Sequence, residues 1–167
     1  RHRDGVIVVE NRQGVVLANA GIDRSNVESD NNAEQVLLLP LNPDESASNI
    51  RNKFQKKANV NIAVIINDSI GRAWRNGTIG TSLGVSGLPS ILNLRGQPDL
   101  FGKPLTSSEV AISDELSSAA SLLQGQANEG RPVVLIRGYS FPIPPSAASI
   151  TSGFSGLIRP KGKDLFR

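Results

Sequence analysis

The stretch "NIAVIINDSIGRAWRNG", Asn61 to Gly77, decides how the chain is read. Its first half, "NIAVIIND", is a continuous apolar run too short to prefer a helix, which predicts a buried strand ending on Asp68. Its second half opens a glycine-rich region from Gly71 to Gly102, where that density predicts bends and close backbone approach rather than long regular elements.

Working outward, "TSSEVAISDELSSAASLLQG" (Thr106 to Gly125) predicts a helix. Thr106 or Ser107 caps it, Val110, Leu116, Ala119, Ala120 and Leu123 form its apolar face, and Gly125 closes it. "RPVVLIRG" (Arg131 to Gly138) predicts a second buried strand. Upstream, "NPDESASNIRNKFQKK" (Asn42 to Lys57) predicts another helix, with Pro43 in its first turn, Asp44 and Glu45 at the positive end of the dipole, and Ala47, Ile50 and Phe54 on one face. "QVLLLP" reads as a buried strand stopped by Pro40, Glu28 to Glu34 as a polar loop, and "DGVIVVENRQGVVLAN" as a hairpin turning at Gly14. No internal repeat is found, and no site is assigned in residues 139–167. Short strands mixed with two main helices, without βαβ alternation or a glycine fingerprint, predict an α+β fold with a mixed, largely antiparallel sheet.

The 167 residues are 38% hydrophobic and 20% charged, as expected of one compact domain. A net charge of +3 and 4% aromatic residues argue against nucleic acid as a partner. The chain has no cysteine and only His2, which excludes thiolate chemistry and makes a Ser-His-Asp triad or histidine zinc site improbable. A metal here has to be held by oxygen, as Mg2+ or Mn2+ is. No apolar run approaches the roughly 20 residues of a membrane span and "RHRDG" is not a signal peptide, so the expectation is a cytoplasmic protein without a membrane partner.

Two aspartates, each followed by a hydroxyl, carry the first candidate chemistry. Asp23 with Ser25 and Asp68 with Ser69 can converge on a divalent cation, although aspartate at a strand end is more often a turn or cap residue. Arg72 and Arg75 suit a polyanionic substrate through paired hydrogen bonds; the alternative is two solvated arginines flanking a core Trp74. The loop "QGQANEGRP" can offer backbone amides to phosphates, yet it matches neither the P-loop nor the Rossmann pattern and also reads as a helix C-cap turn. Asp114 and Glu115, adjacent on a helix, point roughly 100° apart and read as exposed charges.

Several strings in order resemble one family: "LANAGIDRSNV", "LLLPLNPDESASNIR", "VIINDSIGRAWRNG", "GVSGL", "LRGQPDLFGKPL", "SDELSSAASLLQGQA" and "PVVLIRG". Together they are similar to the coenzyme F-420 gamma-glutamyl ligases, from about Gly5 to Gly138. The resemblance implies a GTP-dependent enzyme that adds L-glutamate to a phosphodiester-bearing deazaflavin through an acyl phosphate, and a homodimer with an interwoven sheet. It implies that Asp23 and Asp68 hold one cation, that Ser69, where a threonine is usual, and Gln126 hold a second, and that Asn26 contacts the nucleotide. The loop of Gln124, Gly125, Gln126, Ala127, Asn128, Glu129, Gly130 and Arg131 would hold the nucleotide phosphates.

Asn67, Asn42 and Glu45 depart from the usual residues. The family's N-terminal segment, which supplies nucleotide-contacting loops, has no counterpart in residues 1–167. The expectation is therefore either the C-terminal portion of a divided ligase, working with a separate N-terminal polypeptide, or a non-enzymatic nucleotide- or deazaflavin-binding paralogue.

Overall fold

The computed structural model describes residues 2–28, 35–140 and 150–164. It is α+β, and every strand pairing among these residues is antiparallel. The sheet structure is divided into three small sheets rather than one.

The first sheet is a meander of β1 (His2–Arg3), β2 (Val6–Glu10) and β3 (Val16–Ala18). Its second turn falls at Asn11 to Val15, where Gly14 adopts φ 86° and the Asn11 side chain accepts the amides of Gln13 and Val15. The hairpin expected around Gly14 is present. Ile7, Val8 and Val9 of β2 remain at the surface.

Helix α1 (Pro43–Ala58) matches its expected span, with the Asn42 side chain accepting the Glu45 amide at 3.2 Å and Asn59 in a left-handed C-cap. Of its expected apolar face, Ala47 is fully buried, while Ile50 and Phe54 stay exposed.

The central element is a long hairpin, β4 (Val64–Arg72) and β5 (Arg75–Ser86), turning at an exposed Trp74 with φ 65°. Two expectations are corrected here. The strand does not end on Asp68 but runs four residues beyond it, and the glycine-rich segment contributes the longest strand among the described residues. The reason is close packing. A Cβ on Gly80 would collide with the Ser117 carbonyl and one on Gly84 with the Pro43 carbonyl, so glycine is what lets both helices lie against β5.

Helix α2 (Ile112–Gln124) starts later than expected, after β7 (Glu109–Val110) has paired with β6 (Ile91–Asn93). Strand pairing has captured the residues that Thr106 or Ser107 would have capped, and no side chain caps the helix. Its fully buried residues are Ile112, Ser113 and Ser117; of the expected face, Val110 and Leu116 pack against the core and Ala120 is partly buried, while Ala119 and Leu123 are exposed. Ser113 Oγ bonds Ser82 Oγ at 2.9 Å and Ser117 Oγ is buried without a partner among the described residues, while neighbouring side chains serve the edge of β5: Ser118 Oγ donates to the Gly80 carbonyl at 2.7 Å. Ser121 Oγ accepts the Gly80 amide, Asp114 Oδ1 accepts the Ser82 amide at 2.9 Å, and Asp44 Oδ1 of α1 accepts the Val85 amide at 2.7 Å. Side chains from the helices thus close a strand edge that would otherwise carry unpaired donors. Asp114, expected as an exposed charge, is one of them.

The third sheet has β6 between β7 and β8 (Ile150–Thr151). Val85, Leu88, Leu92 and Ile112 form the core where this sheet, β5 and α2 meet.

Neither "QVLLLP" nor "RPVVLIRG" forms a buried strand. The first makes a single bridge, Asp23 to Leu37, and Leu38 is 71% exposed; the second has no strand, and Val133 is 82% exposed. An apolar run becomes a strand only where another strand's edge can pair with it, and none among the described residues does. Most of the polar loop expected between Glu28 and Glu34 lies outside the described residues. No described helix is long and apolar enough to cross a membrane.

Candidate functional site

After β3 the chain enters three consecutive residues of positive φ, Asn19 (51°), Ala20 (55°) and Gly21 (78°). Asn19 is held there by its side chain, which accepts the Ile7 amide at 3.1 Å, and Gly21 because a Cβ would strike the Leu39 and Leu17 side chains. This turn delivers Asp23. Its backbone bridges Leu37 in both directions, and its Oδ1 accepts the Ser25 amide at 2.8 Å and the Ser25 hydroxyl at 2.6 Å. Those Ser25 bonds, the hydroxyl first, hold the Asp23 carboxyl below the ordinary carboxylate value. An open cavity of about 910 Å³ borders this turn, with Asn19, Asp23, Ser25 and Gln35 among its walls.

Asp68 sits half-buried in the middle of β4. Burial raises its carboxyl above the ordinary value, the Ser69 amide at 2.7 Å works against that, and the negative charge of Asp23 adds to it. The two aspartates therefore lie within electrostatic reach of each other, and no cation among the described residues offsets them at Asp68. The adjacent Ser69 is exposed; strand alternation turns its hydroxyl to the face opposite Asp68, so its amide makes the contact.

The loop after α2 joins both segments. Asn26, itself left-handed at φ 54°, donates from Nδ2 to the Ala127 carbonyl at 2.8 Å. Asn67, beside Asp68, donates to Gln124 Oε1 at 2.8 Å. Within the loop, Glu129 Oε2 accepts the Ala127 amide at 2.9 Å and its carboxylate lies against Gly125. The amides of Ala127, Glu129 and Gln126 keep Glu129 ionised to lower pH than usual. The loop's donors are thus already turned toward an anion, supplied here by its own side chain. Gln126, Asn128, Gly130 and Arg131 are exposed on the same loop.

Arg72 and Arg75 stand opposite each other at the hairpin tip. Along the strand Arg72 is about 13 Å from Asp68. Arg72 Nη1 is buried without a hydrogen-bond partner, Arg75 is exposed, and Trp74, 88% exposed, is not in the core. No group of three or more His, Cys, Asp or Glu residues comes together among the described residues, so a cation here would take oxygens from hydroxyl, amide or ligand as well.

Sequence reasoning missed the Asn67–Gln124 pair and the internal role of Glu129. Asn67 stood out only as a departure from a familiar string, and nothing in the spacing of residues 57 positions apart signals that they meet.

Comparison with known proteins bears on the family. Residues 1–138 match the family model described as F420-0:Gamma-glutamyl ligase. The chain is 43% identical over 161 residues to the coenzyme F420:L-glutamate ligase of Methanocaldococcus jannaschii, covering 96% of this chain and 60% of that protein. It is 45% identical over 161 residues to the protein of the same name in Methanothermobacter thermautotrophicus, covering 96% and 61%. With that of Methanopyrus kandleri it is 40% identical over 166 residues, covering 96% and 62%. The chain thus spans about three-fifths of the length of these curated relatives. A match over most of the chain, and relatives at this identity over nearly all of it, have one meaning: the chain belongs to the F420-0:gamma-glutamyl ligase family.

Proposed function

We propose that this chain is the C-terminal portion of a GTP- and divalent-cation-dependent ligase that joins L-glutamate, through a gamma-type amide linkage, to a deazaflavin precursor of coenzyme F-420. One observation carries the reading. The Asp23–Asn26 turn, the Asp68 strand and the Gln124–Arg131 loop meet through Asn26 with Ala127 and Asn67 with Gln124. The names of the relatives, all coenzyme F420:L-glutamate ligases, support the glutamate and the deazaflavin.

Two mutually repelling carboxylates, with no cationic side chain at Asp68 among the described residues, suit a hard cation such as Mg2+ or Mn2+. Asp23 and Asp68 would hold it, with Ser69 and Gln126 toward a second. When bound, the cations neutralise charge on the phosphate oxygens. The chain's own groups orient the reactants. Asn26 and the loop amides of Gln126 to Glu129 fix the nucleotide, and Arg72 and Arg75 face the anionic groups of the acceptor.

In the reaction, an acceptor carboxylate oxygen bonds to the terminal phosphorus of GTP as GDP departs. The glutamate amine then attacks the acyl-phosphate carbon, loses a proton, and expels phosphate. Positioning and charge neutralisation carry this chemistry, so a chain without cysteine is equipped for it.

The exposed apolar residues of β2 and of Val133 to Ile136 suit an interwoven homodimer, and the family's N-terminal segment, joined or separate, completes the nucleotide site. The setting we infer is the cytoplasm.

The test supplies the chain with a relative's N-terminal segment, Mn2+, GTP, deazaflavin precursor and glutamate, and follows phosphate release and product mass. Glutamate-dependent release that falls by about 10²-fold or more in Asp68→Ala is expected. Binding of GTP and deazaflavin without any glutamylated product would instead establish the non-enzymatic paralogue.

A further inference from the structure

Asn67 and Asp68 are neighbours in β4, so the pleat sends their side chains to opposite faces. On its own face Asn67 forms a reciprocal amide pair. Its Nδ2 donates to Gln124 Oε1 at 2.8 Å, and Gln124 Nε2 donates back to Asn67 Oδ1 at 3.3 Å. Gln124 Nε2 also reaches the Pro132 carbonyl at 3.4 Å, and Arg131 Nη1 meets the Leu123 carbonyl at 3.5 Å. Both feet of the loop after α2 are therefore gathered at one side chain, and that side chain is held by the strand bearing Asp68. The crest of the loop is tied separately, by Asn26 to Ala127.

We propose that Asn67 is a positioning residue for the nucleotide loop: through Gln124 it keeps the loop's phosphate-facing amides in register with the Asp68 carboxylate. The inference rests on the nucleotide reading of that loop and assigns Asn67 no contact with a ligand. An amide pair at a loop base acts by limiting the conformations the loop must abandon when a ligand binds, so its loss is read as weaker binding rather than as altered chemistry. It also acts as a unit. Removing either partner forfeits the same pair of bonds, and Gln124→Ala loses its contact with the Pro132 carbonyl as well, so the two losses do not add in full.

The experiment titrates the full chain, supplied with the N-terminal segment of a relative, first with Mn2+ and then with GTP in the presence of Mn2+. Parent, Asn67→Ala, Gln124→Ala, the double alanine variant and the exchanged pair Asn67→Gln/Gln124→Asn are compared. The expectation is Mn2+ affinity at the Asp68 site within about twofold of the parent, and GTP affinity about tenfold weaker in each single variant and no weaker in the double than in Gln124→Ala alone. The exchanged pair keeps both amides and the total number of methylenes, and should recover GTP affinity to within about threefold.

Unchanged GTP affinity in Asn67→Ala, additive losses in the double variant, or failure of the exchanged pair to recover would each overturn the proposal. A parent that takes up no GTP with Mn2+ overturns the nucleotide reading instead. Amide hydrogen exchange across residues 125–131 then decides the positioning role, which stands if Asn67→Ala speeds exchange there and falls if it does not. Should Asn67→Ala fail to unfold cooperatively, Gln124→Ala at the helix end reports on the same pair.

Discussion

The Asn26 side chain donates to the Ala127 carbonyl at 2.8 Å, joining the turn after Asp23 to the loop after α2 across 101 residues. Both ends of this bond are exposed, so its value lies in fixing two loops against each other more than in global stability. Asn26 also holds a left-handed backbone, which asparagine tolerates better than alanine. Asn26→Ala is expected to weaken GTP binding about tenfold and to cost about 1 kcal/mol in urea unfolding, whereas Asn26→Gly keeps the backbone and loses only the bond. Equal stability loss in the two variants would show that backbone strain contributes nothing here.

Asp68 and Asp23 give opposite pH dependence. Asp68 has a raised carboxyl in the folded state, mainly from burial, so it destabilises the cation-free fold as pH rises through that value and has no effect below the unfolded value of 3.8. Asp23 is lowered by Ser25, so its stabilisation is present above the unfolded value and is lost as pH falls through the folded one. Asp68→Asn should therefore raise the melting temperature in chelator at about pH 7, leave it unchanged at about pH 3, and abolish Mn2+ binding. A lower melting temperature at neutral pH would mean that the Asp68 charge is stabilised in the fold.

Gly80 and Gly84 are sites where α2 and α1 touch β5 through backbone. Gly84→Ala pushes a methyl group into the Pro43 carbonyl, and a loss of about 1–3 kcal/mol in urea unfolding is expected, with a similar loss for Gly80→Ala against Ser117. Gly71→Ala has open space around its Cβ and serves as the comparison, expected within about 0.5 kcal/mol of the parent.

The Glu129 carboxylate occupies the loop amides to which the proposed function assigns a phosphate. Glu129→Gln keeps the side-chain shape and removes its charge. GTP affinity in Mn2+, followed by competition with a fluorescent analogue, is expected to rise about three- to tenfold. Unchanged affinity would move the phosphates away from these amides.

Asp44 holds two distant segments. It accepts the Val85 amide at 2.7 Å and the Phe154 amide at 2.9 Å, fastening the C-terminal segment to β5. Asp44→Ala leaves both donors unpaired and is expected to cost roughly 2–4 kcal/mol, with faster limited proteolysis within residues 150–164; Asp44→Asn retains an acceptor and should recover about half.

How much of this was legible varied by element. Helix α1 was readable because its signals are local: Pro43, Asp44 and Glu45 act within the first turn, where the structure adds the Asn42 cap. The hairpin at Gly14 was readable for the same reason. The glycine-rich strand was not, since glycine at Gly80 and Gly84 serves helices whose position no local pattern states. The runs at Gln35 to Pro40 and Arg131 to Gly138 have the composition of strands but no described strand to pair with.

The candidate site divides in the same way. From the sequence alone came the α+β class, the expectation that any metal would have to be held by oxygen in a chain without cysteine, and, by resemblance, Asp23, Asn26, Asp68 and the Gln124–Arg131 loop as a set of candidates. Tertiary structure alone decided that this turn, strand and loop meet, that Asn67 faces Gln124, and that Asp114 and Asp44 serve the edge of β5. Local order depends on residues within a turn or two of one another, whereas a site built by hydrogen bonds across 57 and 101 residues exists only once the whole chain has packed.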